Sequence, residues 1–199
     1  MGSLNTTSFA ILALLAIRPW TTYELATQMD RSLRWFWPRA TSVLYTEPKK
    51  LVEQGLATAT REFTGRRPRT VYAITPAGRR MLRRWLDRPG AGPVLEFEAL
   101  VQVAFADQGT REQLLRTLGS IKQQAEARRA EALTRAREYA ENGGPFPERL
   151  PVIALTGKLL LEYVDLVARW AEWAEAEVQT WSGLTPEDSA RLVDQVFRR

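Results

Sequence analysis

The chain has 199 residues and a net charge of +5, and it contains neither cysteine nor histidine. Disulfides, thiol nucleophiles, imidazole bases and the usual zinc ligand sets are thereby excluded, so neither a cofactor nor a metal is expected. A carboxylate-only enzyme built on Glu96, Glu98 or Glu162 finds no supporting partner at recognisable spacing.

Length allows one domain or two small ones, and the charge favours two. Residues 1–88 carry 15 Lys+Arg against 6 Asp+Glu, whereas residues 89–199 carry 13 against 17. A basic part joined to an acidic part suggests a nucleic-acid-binding module attached to a module with another task; a solvated arginine-rich surface is the bland alternative. The apolar run Phe9 to Ile17 is too short to span a bilayer, and no basic segment follows Met1. A cytoplasmic protein without membrane association is expected.

Ser8 to Ile17 is apolar nearly all round, which predicts a buried helix ended by Arg18-Pro19. Thr21 and Glu24 have capping-box spacing, with Trp20 and Leu25 at staple positions, so a second helix is predicted to about Met29. Trp35, Phe36 and Trp37 then crowd before Pro38, either as packing or as a ligand wall. From Arg39 to Gln54 the spacing predicts a third helix with Leu44, Leu51 and Val52 inward and Ser42, Thr46, Lys49 and Glu53 opposite, closed by Gly55. Ser42 has two readings, a helix cap or a DNA contact. Pro48 inside this helix predicts a kink or local bulge.

Ala57 to Phe63 and Thr70 to Thr75 carry strand signals, and Thr64 to Arg69 should bridge them with Arg66, Arg67 and Arg69 near the tip. Thr75-Pro76 then starts a fourth helix, with Met81, Leu82, Trp85 and Leu86 as its apolar stripe and Arg79, Arg80, Arg83 and Arg84 off it. Three helices, a basic hairpin and a helix form a winged-helix pattern. The last helix before the wing is the one that enters the major groove, so Arg39 to Lys50 is the candidate reading surface.

Ile11-Leu12-Ala13-Leu14-Leu15, Tyr23-Glu24-Leu25, Leu44-Tyr45, Leu51 to Leu56, Gly65-Arg66-Arg67-Pro68 and Val71 to Gly78 together resemble the PadR family of bacterial transcriptional regulators. The likeness covers about the first 85 residues, in order. It implies a winged helix-turn-helix, dimerisation through C-terminal helices, and repression relieved by small ligands in several members. Pro48 departs from the family pattern, which has an apolar residue there.

Pro89 to Pro93 marks a boundary between a domain at 1–88 and another at 94–199. Val94 to Ala106 is predicted as one helix. Thr110 and Gln113 open a long one to about Asn142, with Leu114, Leu118, Ile121, Ala125, Ala132, Ala136 and Tyr139 near heptad spacing. Val152 to Trp181 forms another, with Leu155, Leu159, Leu160, Tyr163, Val167, Trp170, Ala174, Val178 and Trp181 on one broad face. These two should pack antiparallel, and at roughly 45 Å each they call for a second subunit as cover. A short helix from Thr185-Pro186 to Val196 ends the chain.

The fold expected is therefore mostly α with a small β-hairpin: an N-terminal winged helix-turn-helix followed by an antiparallel helical dimerisation domain. The expected function is a homodimeric DNA-binding repressor on a pseudo-palindromic operator in double-stranded DNA, released by a small aromatic or hydrophobic ligand. The DNA-binding candidates are Arg39, Thr41, Ser42, Tyr45, Thr46, Lys49, Lys50, Arg66, Arg67 and Arg69. For the effector they are Trp35, Trp37, Tyr163, Trp170 and Trp173. A winged-helix protein-interaction module and a non-inducible DNA-binding protein are the alternatives.

Overall fold

A computed structural model describes residues 4–64, 67–181 and 186–198, and the chain divides into two compact units, 1–93 and 94–199. In the first, α1 (Thr6–Ile17) begins two residues before the predicted start, because Asn5 and Ser8 cap one another: each side chain bonds the other's backbone N–H. Ile11, Leu12, Leu14 and Leu15 enter the core.

A strand not anticipated from the sequence, β1 (Trp20–Thr21), follows, with the Trp20 indole donating to the Leu14 carbonyl at 2.7 Å. Two residues are too few to leave a periodic pattern. Thr21 and Glu24 form the predicted capping box of α2 (Thr22–Leu33), which runs four residues past Met29. The Thr21 backbone N–H, bonded to the Glu24 carboxylate, is the main cause holding that carboxyl below its ordinary pKa.

Helix α3 (Thr41–Glu53) is shorter than its predicted span and remains α-helical through Pro48, with Lys49 exposed beside it. The missing N–H removes one backbone bond, while the proline ring is fully buried in the core. Gly55 adopts φ +70° and ends the helix: its N–H reaches the Val52 carbonyl, and the Leu56 N–H reaches that of Leu51. This double closure satisfies the last carbonyls of α3 and turns the chain into the hairpin.

Strands β2 (Ala57–Thr64) and β3 (Arg67–Ile74) pair antiparallel, and β3 lies central in the order β1-β3-β2. Strand β2 runs one residue past its predicted end, and β3 starts three residues before its predicted start and stops one short of Thr75. Arg67 and Arg69 consequently stand in β3 instead of in a long turn. The hairpin root is tightly bound: the Thr75 N–H donates to the Leu56 carbonyl, its hydroxyl donates to the Gly55 carbonyl, and it accepts from the Gly78 N–H. A Cβ at Gly78 would lie 2.1 Å from the Leu56 carbonyl oxygen, so only glycine fits this approach. Helix α4 (Pro76–Leu86) returns over α1, with Trp85 stacked on Phe9 at 5.0 Å between ring centres. Leu86, predicted in the apolar stripe, is exposed.

In the second unit, α5 (Glu98–Ala104) is much shorter than the predicted Val94 to Ala106 helix. Phe97 offers no side-chain cap at its start, and a 3-10 turn over Ala106–Gln108 follows its end. Thr110 and Gln113 form the predicted capping box of α6 (Arg111–Asn142), which Gly143 closes at φ +68°. After a 3-10 turn at Pro147–Arg149, α7 (Leu150–Gln179) runs back antiparallel.

The pairing of α6 with α7 is fixed along its length. Arg111 donates to the Val178 and Gln179 carbonyls at the end of α7, and Arg129 pairs with Asp165 at 2.7 Å. Between them Leu114, Leu118, Ile121, Ala171, Ala174 and Val178 form the core. The inward face of α7 is centred on Val164, Ala171, Ala174 and Val178; Leu155 and Leu159, predicted inward, are 73% and 68% exposed. Helix α8 (Pro186–Phe197) is tied back by Arg191, whose guanidinium binds the Glu177 carboxylate. The expected start at Thr185 lies outside the described residues.

Candidate nucleic-acid interface

Burial divides α3 into two faces. Leu44, Glu47, Pro48 and Leu51 are buried, whereas Ser42, Tyr45, Thr46, Lys49 and Lys50 are exposed, each set at helical spacing. Arg39 is exposed just before the helix, with its guanidinium 4.0 Å from the Trp37 ring centre. The outward face therefore presents hydroxyls, a phenol and ammonium groups within three turns of the helix N-terminus. These groups can bond phosphate oxygens and base edges. Ser42 makes no cap bond: the N-cap is Ala40, and the Ser42 carbonyl accepts from the Thr46 hydroxyl. Arg66 lies outside the described residues, as do the side chains of Thr41 and Arg67.

The buried face contains a polar contact that helical periodicity gives no means of finding. Glu47 is only 3% exposed; it accepts a hydrogen bond from the Ser8 hydroxyl of α1, and Lys50 reaches its other oxygen at 3.2 Å. Glu47 thus anchors α3 to α1 while holding one ammonium group of the outward face.

On the wing, cross-strand pairing puts Arg61, Phe63, Pro68 and Thr70 on one face and Glu62 and Arg69 on the other. Arg69 is ion-paired to Glu62 at 2.7 Å, which offsets the charge expected of it. Arg61 and Phe63, absent from the sequence-derived candidates, are both exposed. Alternation along β2, legible in the sequence, puts the two together, whereas the arginines at the turn drew the expected contacts to the tip.

The aromatic candidates are divided between the two units. Trp35 and Trp37 belong to the first unit, where the Trp37 indole donates to the Thr7 hydroxyl and its ring borders a cavity of about 130 Å³ with Met29, Arg34 and Arg39. Trp170 packs against the core of the second unit, and Trp173 is exposed on α7. Tyr163 borders an open groove of about 940 Å³ among α5, α6 and α7, together with Phe97, Phe105, Arg116, Gln124 and Arg128.

Residues 11–84 match the sequence profile of the "Transcriptional regulator PadR-like family". A probable transcriptional regulator of Mycobacterium tuberculosis, Rv1176c, is 32% identical over 107 residues, which cover 50% of this chain. The match spans 57% of that relative's length. Bacillus subtilis PadR in complex with operator DNA superposes with a TM-score of 0.75 at 21% identity, over 87% of this chain and 99% of that one. The same protein in complex with p-coumaric acid gives 0.67 at 20% identity, over 88% and 99%. These likenesses carry the winged-helix fold.

Proposed function

We propose that the chain is a PadR-like transcriptional regulator, as the match of residues 11–84 to that family's profile supports, and that it acts as a homodimeric repressor on a pseudo-palindromic operator. The observation that carries this reading is the outward face of α3, where Ser42, Tyr45, Thr46, Lys49 and Lys50 stand clear of the core beside Arg39. A helix lying in the major groove reads base edges with such residues, while basic residues of the wing hold the backbone.

A pair of copies is supported by α7. Val152, Leu159, Leu166 and Trp173 recur at intervals of seven on its exposed side, with Leu155 beside them. Seven-residue recurrence is the pattern of a helix that packs along another helix. A two-fold pair of chains in turn calls for two half-sites in the DNA.

The effector we propose is a small aromatic or hydrophobic molecule held in the groove of the second unit, where Phe97, Phe105 and Tyr163 offer ring faces and Arg116 and Arg128 offer charge. The p-coumaric acid complex of the Bacillus protein supports the class of ligand.

Selection of fragments from a random DNA pool tests the regulator. An enriched inverted repeat is expected; enrichment of nothing, or of a motif without two-fold symmetry, would contradict the dimeric reading. A set of planar aromatic acids should quench tryptophan emission and release the selected DNA. If none does either, repression is controlled by the protein's abundance.

A further inference from the structure

The wing has two unlike faces. On one, Arg69 is held by Glu62 through both its Nε and Nη2, leaving a locally neutral pair. On the other, Phe63 is 64% exposed, with the Arg61 guanidinium 5.6 Å from its ring centre and Pro68 directly across the strand pair. No carboxylate pairs with Arg61 among the described residues. An exposed aromatic ring at the far end of a hairpin adds nothing to the core, which ends at Ala57 and Tyr72.

We infer that the wing meets the DNA minor groove with its Arg61, Phe63 and Pro68 face, Phe63 serving as an apolar wedge and Arg61 as its phosphate partner. This rests on the DNA-binding reading above and goes beyond it, because that reading placed the wing contacts on Arg66, Arg67 and Arg69 and named no apolar contact.

Charge chooses the occupant. The apolar ring lies beside an unneutralised cation, within a segment carrying 15 Lys+Arg against 6 Asp+Glu. A polyanion satisfies both groups, whereas an apolar protein surface would strand the guanidinium. Phe and Pro are residue types that wedge between base steps from the minor groove and bend the duplex. An arginine beside the wedge can follow the backbone or enter an A·T-narrowed groove. The opposite face has little net attraction to offer, because the Glu62 carboxylate faces whatever approaches Arg69.

The test uses the full chain and a duplex carrying dyes at both ends, in A·T-rich and G·C-rich versions. Affinity is read by anisotropy, and bending by energy transfer. Phe63→Ala should weaken binding by about tenfold and abolish the rise in transfer, while Phe63→Leu, which keeps an apolar wedge, should retain it. Arg61→Gln should flatten the salt slope by about 0.9. Thr60→Ala, an exposed change on the opposite face of β2, should leave affinity within about twofold. Unchanged affinity and bending in Phe63→Ala and Arg61→Gln would overturn the assigned face, all the more if Thr60→Ala lost affinity. Absence of any salt-dependent binding by the unaltered chain would instead overturn the DNA-binding reading, and this inference with it.

Discussion

The two units close their cores to different degrees. In the first, Ile11, Leu12, Leu15, Leu25 and Leu51 are sealed by helices and sheet of the same unit, and the exposed positions of α3 are polar or amphipathic. In the second, Leu118, Ile121 and Ala171 are equally sealed, yet Val94, Leu155, Leu159, Leu166 and Phe105 remain open to solvent. The charges differ in sign as well, +9 before residue 89 and −4 after it. A basic unit whose outward α3 face is polar suits a partner met mainly through polar groups, with Phe63 as an isolated apolar exception; a unit with an apolar stripe along a long helix suits a partner met by burial.

The contrast can be broken most directly on α7. Leu159→Glu combined with Leu166→Glu should convert a dimer to monomers in sedimentation equilibrium and reduce affinity for an inverted repeat by about 100-fold or more, leaving the first unit folded. A dimer that survived both charges would show that the exposed stripe is not the subunit contact. Within the closed unit, Leu15→Ala should lower unfolding stability by about 2–5 kcal/mol in urea titrations, because it opens a cavity in a sealed core. The same truncation at exposed Leu155 should cost the isolated monomer within about 0.5 kcal/mol.

Smaller effects sharpen the picture. Ser8→Ala removes the hydroxyl donor to Glu47 and should destabilise the first unit by about 1–3 kcal/mol, measured by thermal unfolding. Lys49→Ala should flatten the salt dependence of DNA binding by about 0.9 in log–log slope without moving the unfolding midpoint.

The smallest effect concerns Glu24, whose folded pKa lies below its ordinary value of 4.5. Its contribution is present above that value and lost as pH falls through the lower folded one, so acidification below pH 4.5 should weaken the start of α2. The group is 40% exposed and solvent screening applies, so the loss should stay under about 1 kcal/mol and vanish in Glu24→Gln.

Features set by neighbours in sequence were legible beforehand. Thr21 with Glu24, Thr110 with Gln113, Thr75-Pro76 and Gly55 each act within a few residues, so their chemistry predicts their structure. Features decided by distant partners were not. Helix α7 is apolar on more than one side, and periodicity cannot say which side α6 takes; the true core at Val164 and Ala171 only follows from packing. The outward set of α3 was readable because its other side is so clearly apolar. Its anchor was not, since Ser8 and Glu47 lie 39 residues apart and meet only once α1 and α3 cross. The wing strands were drawn short because Pro68 and the run of arginines read as turn, although Pro68 sits opposite Phe63 within the ladder.

The knot at Thr75 gives the hairpin the mechanics of a cantilever. The outgoing strand begins beside Gly55 and Leu56, the returning strand ends at Thr75, and both are bolted to the first turn of α4 at Gly78, where no side chain could be inserted. A beam clamped at its base does not swivel when its far end meets resistance; it flexes along its span. If the wing meets DNA as proposed, grooves of different width would be distinguished by the work of bending β2 and β3, and strand stiffness would act as a sequence filter that no base contact need supply.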